Sequence, residues 1–410
     1  MSLKKKMILN EGYMPNGSYF TSGIGSNIYI NKKKFLDLSL CAGTLILGHN
    51  SKIFKNSLKN IAKKNISNFA TTNKFAVDFS NTLKKIYPEY SKFIFCNSGT
   101  DAVTKSLRVA RAVCKKELII SVSGSWHGST SELLYSSNKK LKSTELSSGL
   151  DKSSIKKIKF IPYNDIKVSK KILDKHKKKI MCLIIEPIQG CLPFDAKNYL
   201  KFLSDYCIKN NIILIFDEMI TGLRCNGSSV QKQLNLKPSI STFGKCLGGG
   251  MPMGIIGIKK NIFDRLSLIN KKVFFGGTFS GNSINTYIAD QSVNYILKNK
   301  KRIFHSLEKK SKYLEKNLNN FFTKNNYDAS CYRYSSMLRI IFSNKKIENR
   351  PQRDFFEKNN QSFIIKFRKY LLNRNIYIAS NGIIFLATTT SFGNLNYLIK
   401  NIKKAFRTLY

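Results

Sequence analysis

From residue 90 to 260 the chain alternates short apolar runs with longer stretches of helical spacing. "KFIFCNS" (92–98) predicts a strand, and "DAVTKSLRVARAVC" (101–114) a helix with Val103, Leu107, Ala110 and Cys114 on one face. Further strands are predicted at 117–123, 158–163, 181–187, 212–218 and 253–258. The segment 196–211 has helical spacing, with Tyr199, Leu200, Leu203, Tyr206 and Cys207 at intervals of three and four. Continuously apolar strands separated by helices predict an α/β domain built on a mostly parallel sheet, where ligands gather at the carboxyl ends of the strands.

Beyond 288 the pattern changes. A long basic amphipathic helical region (288–323) is followed by short strands at 337–342 and 376–380 and a final helix over 394–408, a smaller α+β unit. The hairpin-like "NIYINKKKFLDLS" (27–39) belongs to a segment too short for its own core. The expected division is an N-terminal segment 1–55 packing with the small domain, a large domain 56–287 and a small C-terminal α+β domain 288–410.

Composition adds limits. With 410 residues, 42% hydrophobic and 12% aromatic, the chain can bury a large core. The net charge of +46 raises the question of nucleic acid. Its lysine runs are scattered and no RNP, helix-turn-helix or zinc-finger pattern accompanies them, so no specific nucleic-acid partner is expected. Nine cysteines without a C-x-x-C pair predict reduced, mostly buried thiols, and no metal is assigned. The opening "MSLKKKMILNEG" has no secretory h-region, and the apolar runs are too short to span a bilayer, so a cytoplasmic protein is expected, with no membrane partner.

Four stretches carry candidate chemistry. In "ISTFGKCLGGGMPMG" (240–254) Lys245 stands between glycine-containing turns at a strand end. A lysine there suits imine chemistry if its pKa is lowered, while phosphate binding or an ordinary turn are the other readings; the P-loop order is absent. In "ILIFDEMITG" (213–222) Asp217 follows a buried strand, where it could hold a ring nitrogen protonated, cap a helix or bind a metal. "CNSGTDAV" (96–103) runs from strand to helix through Ser98, Gly99 and Thr100, a phosphate site or a plain cap. "GSWHG" (124–128) sets the chain's single tryptophan, Trp126, beside His127 in a loop, to stack on a ligand or to fill core.

Taken in order along one α/β domain, these parts resemble the fold-type I pyridoxal-phosphate enzymes. More narrowly they are similar to class III aminotransferases of the glutamate-1-semialdehyde 2,1-aminomutase-like branch. The matching blocks include "LILGHN" (45–50), "NSGTDA" (97–102), "IIEPIQG" (184–190), "FDEMITGLR" (216–224), "TFGKCLGGGMPMGIIG" (242–257) and "GGTFSGN" (276–282). The resemblance implies a cytoplasmic homodimer using pyridoxal 5′-phosphate, carried as an internal aldimine on Lys245, to transfer an amino group by ping-pong chemistry. It implies catalytic roles for Lys245 and Asp217, ring contacts from Met219 and Trp126, phosphate contacts from Ser98, Gly99 and Thr100, and supporting roles for Glu186 and His127. Thr278 would reach the phosphate of the neighbouring subunit.

Departures bear on the substrate. The branch uses an N-terminal arginine to hold a carboxylate, and "MPNGSYFTSGIGSN" (14–27) has none; it offers Ser18, Tyr19, Thr21 and Ser22 instead. Ala42 replaces an expected tryptophan, and Cys191 stands where many ω-aminotransferases carry glutamate. These changes predict a roomier, neutral pocket suited to a hydroxylated carbonyl compound such as a keto sugar. The alternative is the aminomutase reaction itself, with Arg224 or another basic side chain as the carboxylate anchor.

Overall fold

The computed structural model describes residues 19–138, 140–151 and 153–410. Its centre is a seven-stranded sheet in the order Lys92–Cys96, Gly254–Ile258, Ile240–Gly244, Ile213–Asp217, Ile180–Ile185, Leu118–Val122, Ile158–Ile161. Gly254–Ile258 is antiparallel to both its neighbours, and the remaining pairings are parallel. Six strands therefore point the same way, and the loops after Cys96, Val122, Ile185, Asp217 and Gly244 open on one edge.

Period-two alternation explains which side chains reach that edge. In Ile213–Asp217, Leu214 and Phe216 pack with Leu200 and Leu203 of the helix Lys197–Lys209. Ile213 and Ile215 pack on the other face with Ala102, Val103 and Leu107 of the helix Gly99–Val113. Each such fully buried side chain contributes roughly 1.5–3 kcal/mol. Ile184 and Ile240 share the second face, so Glu186, Asp217 and Thr242, each two residues further along, emerge on the side of the Gly99–Val113 helix.

The C-terminal part packs a three-stranded antiparallel sheet (Ser330–Tyr334, Met337–Ile341, Ile383–Phe385) with the helices Lys300–Lys324, Gln361–Asn373 and Phe392–Leu409. Phe321, Phe322, Phe342, Phe367 and Phe406 fill the space between them. The strands Ser22–Ile24, Asn27–Ile30 and Lys33–Asp37 form a second sheet closed by Ile376–Tyr377, which pairs in parallel with Lys33–Asp37. The helical region expected over 288–323 is two helices, Ser283–Lys298 and Lys300–Lys324. Asn299 separates them at φ −108°, ψ 17°, its side-chain amide donating to the Tyr295 carbonyl at 2.9 Å. Among the described residues no helix is long and apolar enough to cross a membrane.

Glu218, beside Asp217, fastens the edge from below. It is fully buried and accepts from Thr221 Oγ1 at 2.6 Å, Val230 N at 3.0 Å and Gln231 N at 2.8 Å. Burial pushes its carboxyl up from 4.5 to about 7, against those hydrogen bonds. The folded chain therefore holds the proton more tightly than the unfolded one, and the stability this gives is complete below about pH 4.5 and lost as pH rises through about 7. The whole effect is about 3 kcal/mol at most. Glu218→Gln, neutral throughout, is expected to flatten the fall in melting temperature of the cofactor-free chain between about pH 5 and 7. Equal slopes for the two proteins would contradict this.

Candidate active site

Asp217 closes its strand with its carboxylate almost fully buried, and three donors meet it. His127 Nδ1 lies 2.8 Å from Oδ2, while Thr242 Oγ1 at 3.1 Å and Met219 N at 3.2 Å donate to Oδ1. The parallel register sets Asp217 opposite Thr242, and Glu218 N bonds the Thr242 carbonyl at 2.9 Å, so the carboxylate cannot slide along the edge. His127 is buried as well, and its Nε2 has no partner among the described residues.

Lys245 follows Gly244 directly and takes a left-handed backbone, φ 43°, opening the short turn Lys245–Gly248. For a residue other than glycine that conformation is strained by about 1–3 kcal/mol. Its Nζ has no hydrogen-bond or ion-pair partner among the described residues. Burial of this partly exposed side chain lowers the ammonium pKa, and the carboxylates of Glu186 and Asp217 partly offset that. The result is an unpartnered lysine, more easily deprotonated than an exposed one, with two acids nearby.

Glu186 occupies the third position. Its Oε2 accepts from Trp126 N at 2.8 Å, which fixes the "GSWHG" loop over the edge. Burial raises its carboxyl to about 7; His127 and Lys245 oppose the rise and Asp217 adds to it. Gln189, fully buried, ties the same loop by donating to Ser123 O at 3.0 Å and Ser125 Oγ at 3.3 Å. Trp126 leaves 55% of its surface open while His127 beside it is buried.

At the start of the Gly99–Val113 helix, Ser98 Oγ accepts from Asp101 N at 3.1 Å and Thr100 Oγ1 from Ser129 N at 3.1 Å. The amides of Gly99 and Thr100 have no acceptor among the described residues, as expected for a first helical turn. Such amides, with the helix dipole, form a site for a phosphate. Lys105, buried, pairs with Asp101 at 2.9 Å and offsets the one acid in this turn. Gly99 leaves room for Met219, whose Cε would lie 2.6 Å from a Cβ placed there and would have to move aside. Met219 is thus held between Gly99 and Gly244, below Asp217.

The structure therefore brings Ser98, Gly99, Thr100, Trp126, His127, Glu186, Asp217, Met219 and Lys245 to one edge. Thr278 is exposed, in the segment after Gly277. The N-terminal donors are differently placed. Ser18 is outside the described residues, Tyr19 is 75% exposed, and Thr21 Oγ1 donates to Tyr29 O at 3.2 Å, within its own hairpin. Arg224 is not an anchor for substrate. It is fully buried, stacked 5.0 Å over the Phe385 ring, and donates to Ser336 Oγ at 2.8 Å, Leu386 O at 3.4 Å, Cys246 Sγ at 3.3 Å and the Gly43 carbonyl. Cys246 in turn donates to Gly43 O at 3.1 Å. Arg224 thus ties the residue after Lys245 to the turn at 40–43 and to the C-terminal sheet. Thr242 and Gln189 were not singled out from sequence, since the parallel register that sets Thr242 opposite Asp217 is not visible in either strand alone.

Comparison with known proteins bears on the family and the fold. The family model described as aminotransferase class-III matches residues 19–365. The glutamate-1-semialdehyde 2,1-aminomutase of Wigglesworthia glossinidia brevipalpis is 33% identical over 348 residues, covering 83% of this chain and 78% of that protein. An omega-transaminase from Sphaerobacter thermophilus superposes with a TM-score of 0.87 at 21% identity, over 96% of this chain and 92% of that one. A glutamate-1-semialdehyde-aminomutase from Pseudomonas aeruginosa PAO1 gives 0.85 at 15% identity, over 96% and 88%. At such identities the two structures speak for the fold.

Removing the Arg224 guanidinium leaves the Leu386 carbonyl and the Ser336 hydroxyl without this donor in a dry interior. Arg224→Met is expected to lower stability to urea by about 3 kcal/mol, at roughly 1–3 kcal/mol per unmet group. A loss below about 1 kcal/mol would show that the contacts carry little.

Proposed function

Because the chain belongs to the class-III aminotransferase family, we propose that it holds pyridoxal 5′-phosphate on Lys245 and moves an amino group from a donor amine to a carbonyl acceptor in two half-reactions. The observation that carries this reading is the pairing of a partner-free Lys245 amine with a carboxylate, Asp217, clamped by three donors at the same sheet edge. The residues present fit the cofactor: an exposed indole, a helix start with unused amides, a buried carboxylate and a lysine without a partner among the described residues.

When bound, pyridoxal phosphate supplies a ring that withdraws electrons from the carbon bearing the amine. Asp217 would face the ring nitrogen, and His127 and Thr242 keep its oxygens aligned. Trp126 and Met219 would close the two faces, and Ser98 with the Gly99 and Thr100 amides would take the phosphate. Lys245 Nζ, its charge disfavoured by burial, would take up and hand on the proton that the donor carbon gives up. Glu186 holds Trp126 in place and keeps a negative or neutral acid near that amine according to pH.

A cytoplasmic homodimer with shared sites completes the reading. Exposure of Thr278 between the exposed side chains of Phe274 and Phe279 supports a contact there with a second copy. Exchange of two groups within glutamate 1-semialdehyde uses the same residues. The likeness in sequence to a protein named for that reaction favours it as the second reading.

Asp217→Asn tests the electronic role against a structural one. The amide accepts on one oxygen only, so a stability loss of about 1–3 kcal/mol is expected in the folded variant. The rate of the amine half-reaction is expected to fall by about a thousandfold, some 4 kcal/mol of barrier. A near-normal rate in the folded variant would overturn the assignment.

A further inference from the structure

The helix Arg350–Asn359 is far along the chain from the site, yet its first side chain touches it. Arg350 lays its stem on Gly124, where an added Cβ would be 2.5 Å from Arg350 Cβ and 2.8 Å from Cδ. Its Nη1 donates to the Gly124 carbonyl at 3.0 Å, an oxygen that the Cys191 thiol approaches at 3.7 Å. Gly124 is two residues before Trp126, whose N–H is held by Glu186, so the guanidinium rests on the shoulder of the loop that presents the indole. The fork is only partly used: Nε faces Asp354 Oδ2 at 3.3 Å, and Nη2 has no partner among the described residues. One third of the side chain, 33%, is open to solvent.

The surroundings leave a positive charge over. Arg353 donates to the Cys191 carbonyl at 2.9 Å, and Arg339 grips Glu357 through two bonds of 2.7 and 2.9 Å. Arg339, Arg350 and Arg353 share two carboxylates, Asp354 and Glu357. The electrostatic chain reaches the site as well. Cys191 feels both Arg350 and Glu186, and Glu186 feels Lys245. Arg224, fully buried and with both terminal nitrogens taken by Ser336, Leu386, Gly43 and Cys246, offers nothing comparable.

We propose that Arg350 anchors a carboxylate of the substrate, at the end remote from the exchanging amine, so that amino and oxo acids are preferred over neutral amines and carbonyls. This rests on the amino-transfer reading above. It replaces the neutral pocket expected from the N-terminal segment, because the anchoring charge comes from the C-terminal unit. A planar guanidinium with a free edge suits a carboxylate through charge-assisted bonds, which a lysine would match in charge but not in shape.

The test compares 5-aminopentanoate with pentylamine, donors of equal length, in the half-reaction of the cofactor-loaded protein. Glutarate is titrated separately by calorimetry onto the cofactor-free chain. The native protein is expected to favour the carboxylate donor. Arg350→Met is expected to raise the apparent KM for 5-aminopentanoate by about 10- to 100-fold, with a smaller change in the limiting rate, and to weaken glutarate by a similar factor. Arg350→Lys is expected to recover part of both. An unchanged donor preference and unchanged glutarate affinity in a folded Arg350→Met protein would overturn the proposal. Failure of the native protein with both amines would overturn the amino-transfer reading instead, and the glutarate titration would still decide on Arg350.

Discussion

Taking the Asp217 carboxylate out of water is costly unless donors replace the water, and the fold meets it with an imidazole, a hydroxyl and a backbone amide. Each donor comes from a different loop or strand end, so the requirement to satisfy this one acid fixes several elements at once. Thr242 arrives through parallel register, His127 through the loop that Glu186 and Gln189 tie down, and Met219 through its own turn. The glycines at 99 and 244 then let Met219 lie under the carboxylate.

Lys245 depends on that frame. Its left-handed backbone is unfavourable by itself and is held from outside, where Cys246 bonds Gly43 and both are gripped by Arg224. Burial lowers the affinity of its amine for a proton while Glu186 and Asp217 raise it, so the charge on Lys245 is set by a balance between the same groups that shape the site. Glu186 is subject to the reverse balance, brought to about 7 by burial. The amine and the acid are therefore linked, and a change at one is felt at the other.

Much of this was legible in the chain. Apolar runs ending in Asp217 and before Lys245, and a strand leading into Ser98–Thr100, place these residues at strand ends, and strand ends share an edge when a sheet is mostly parallel. What alternation cannot supply is contact between distant segments. Arg350 meets Gly124 across 226 residues, and nothing in the local pattern of "ENRPQRD" marks its first arginine as different from Arg353. Arg224 looked available because its exposure depends on the turn at 40–43 and on the C-terminal sheet, neither of which is local to it. The break at Asn299 is not visible in the sequence because the residues on either side keep helical spacing; the backbone angles of Asn299 and its side-chain bond to Tyr295 mark the end of the first helix.

Everything proposed for this site turns on Lys245 as the amine that would carry the cofactor. Borohydride reduction of the protein loaded with pyridoxal phosphate, followed by peptide mapping, addresses it without any substrate. A single labelled lysine, Lys245, is expected among the many that this basic chain exposes. A label on another lysine, or labels spread over several with Lys245 unmodified, would contradict it.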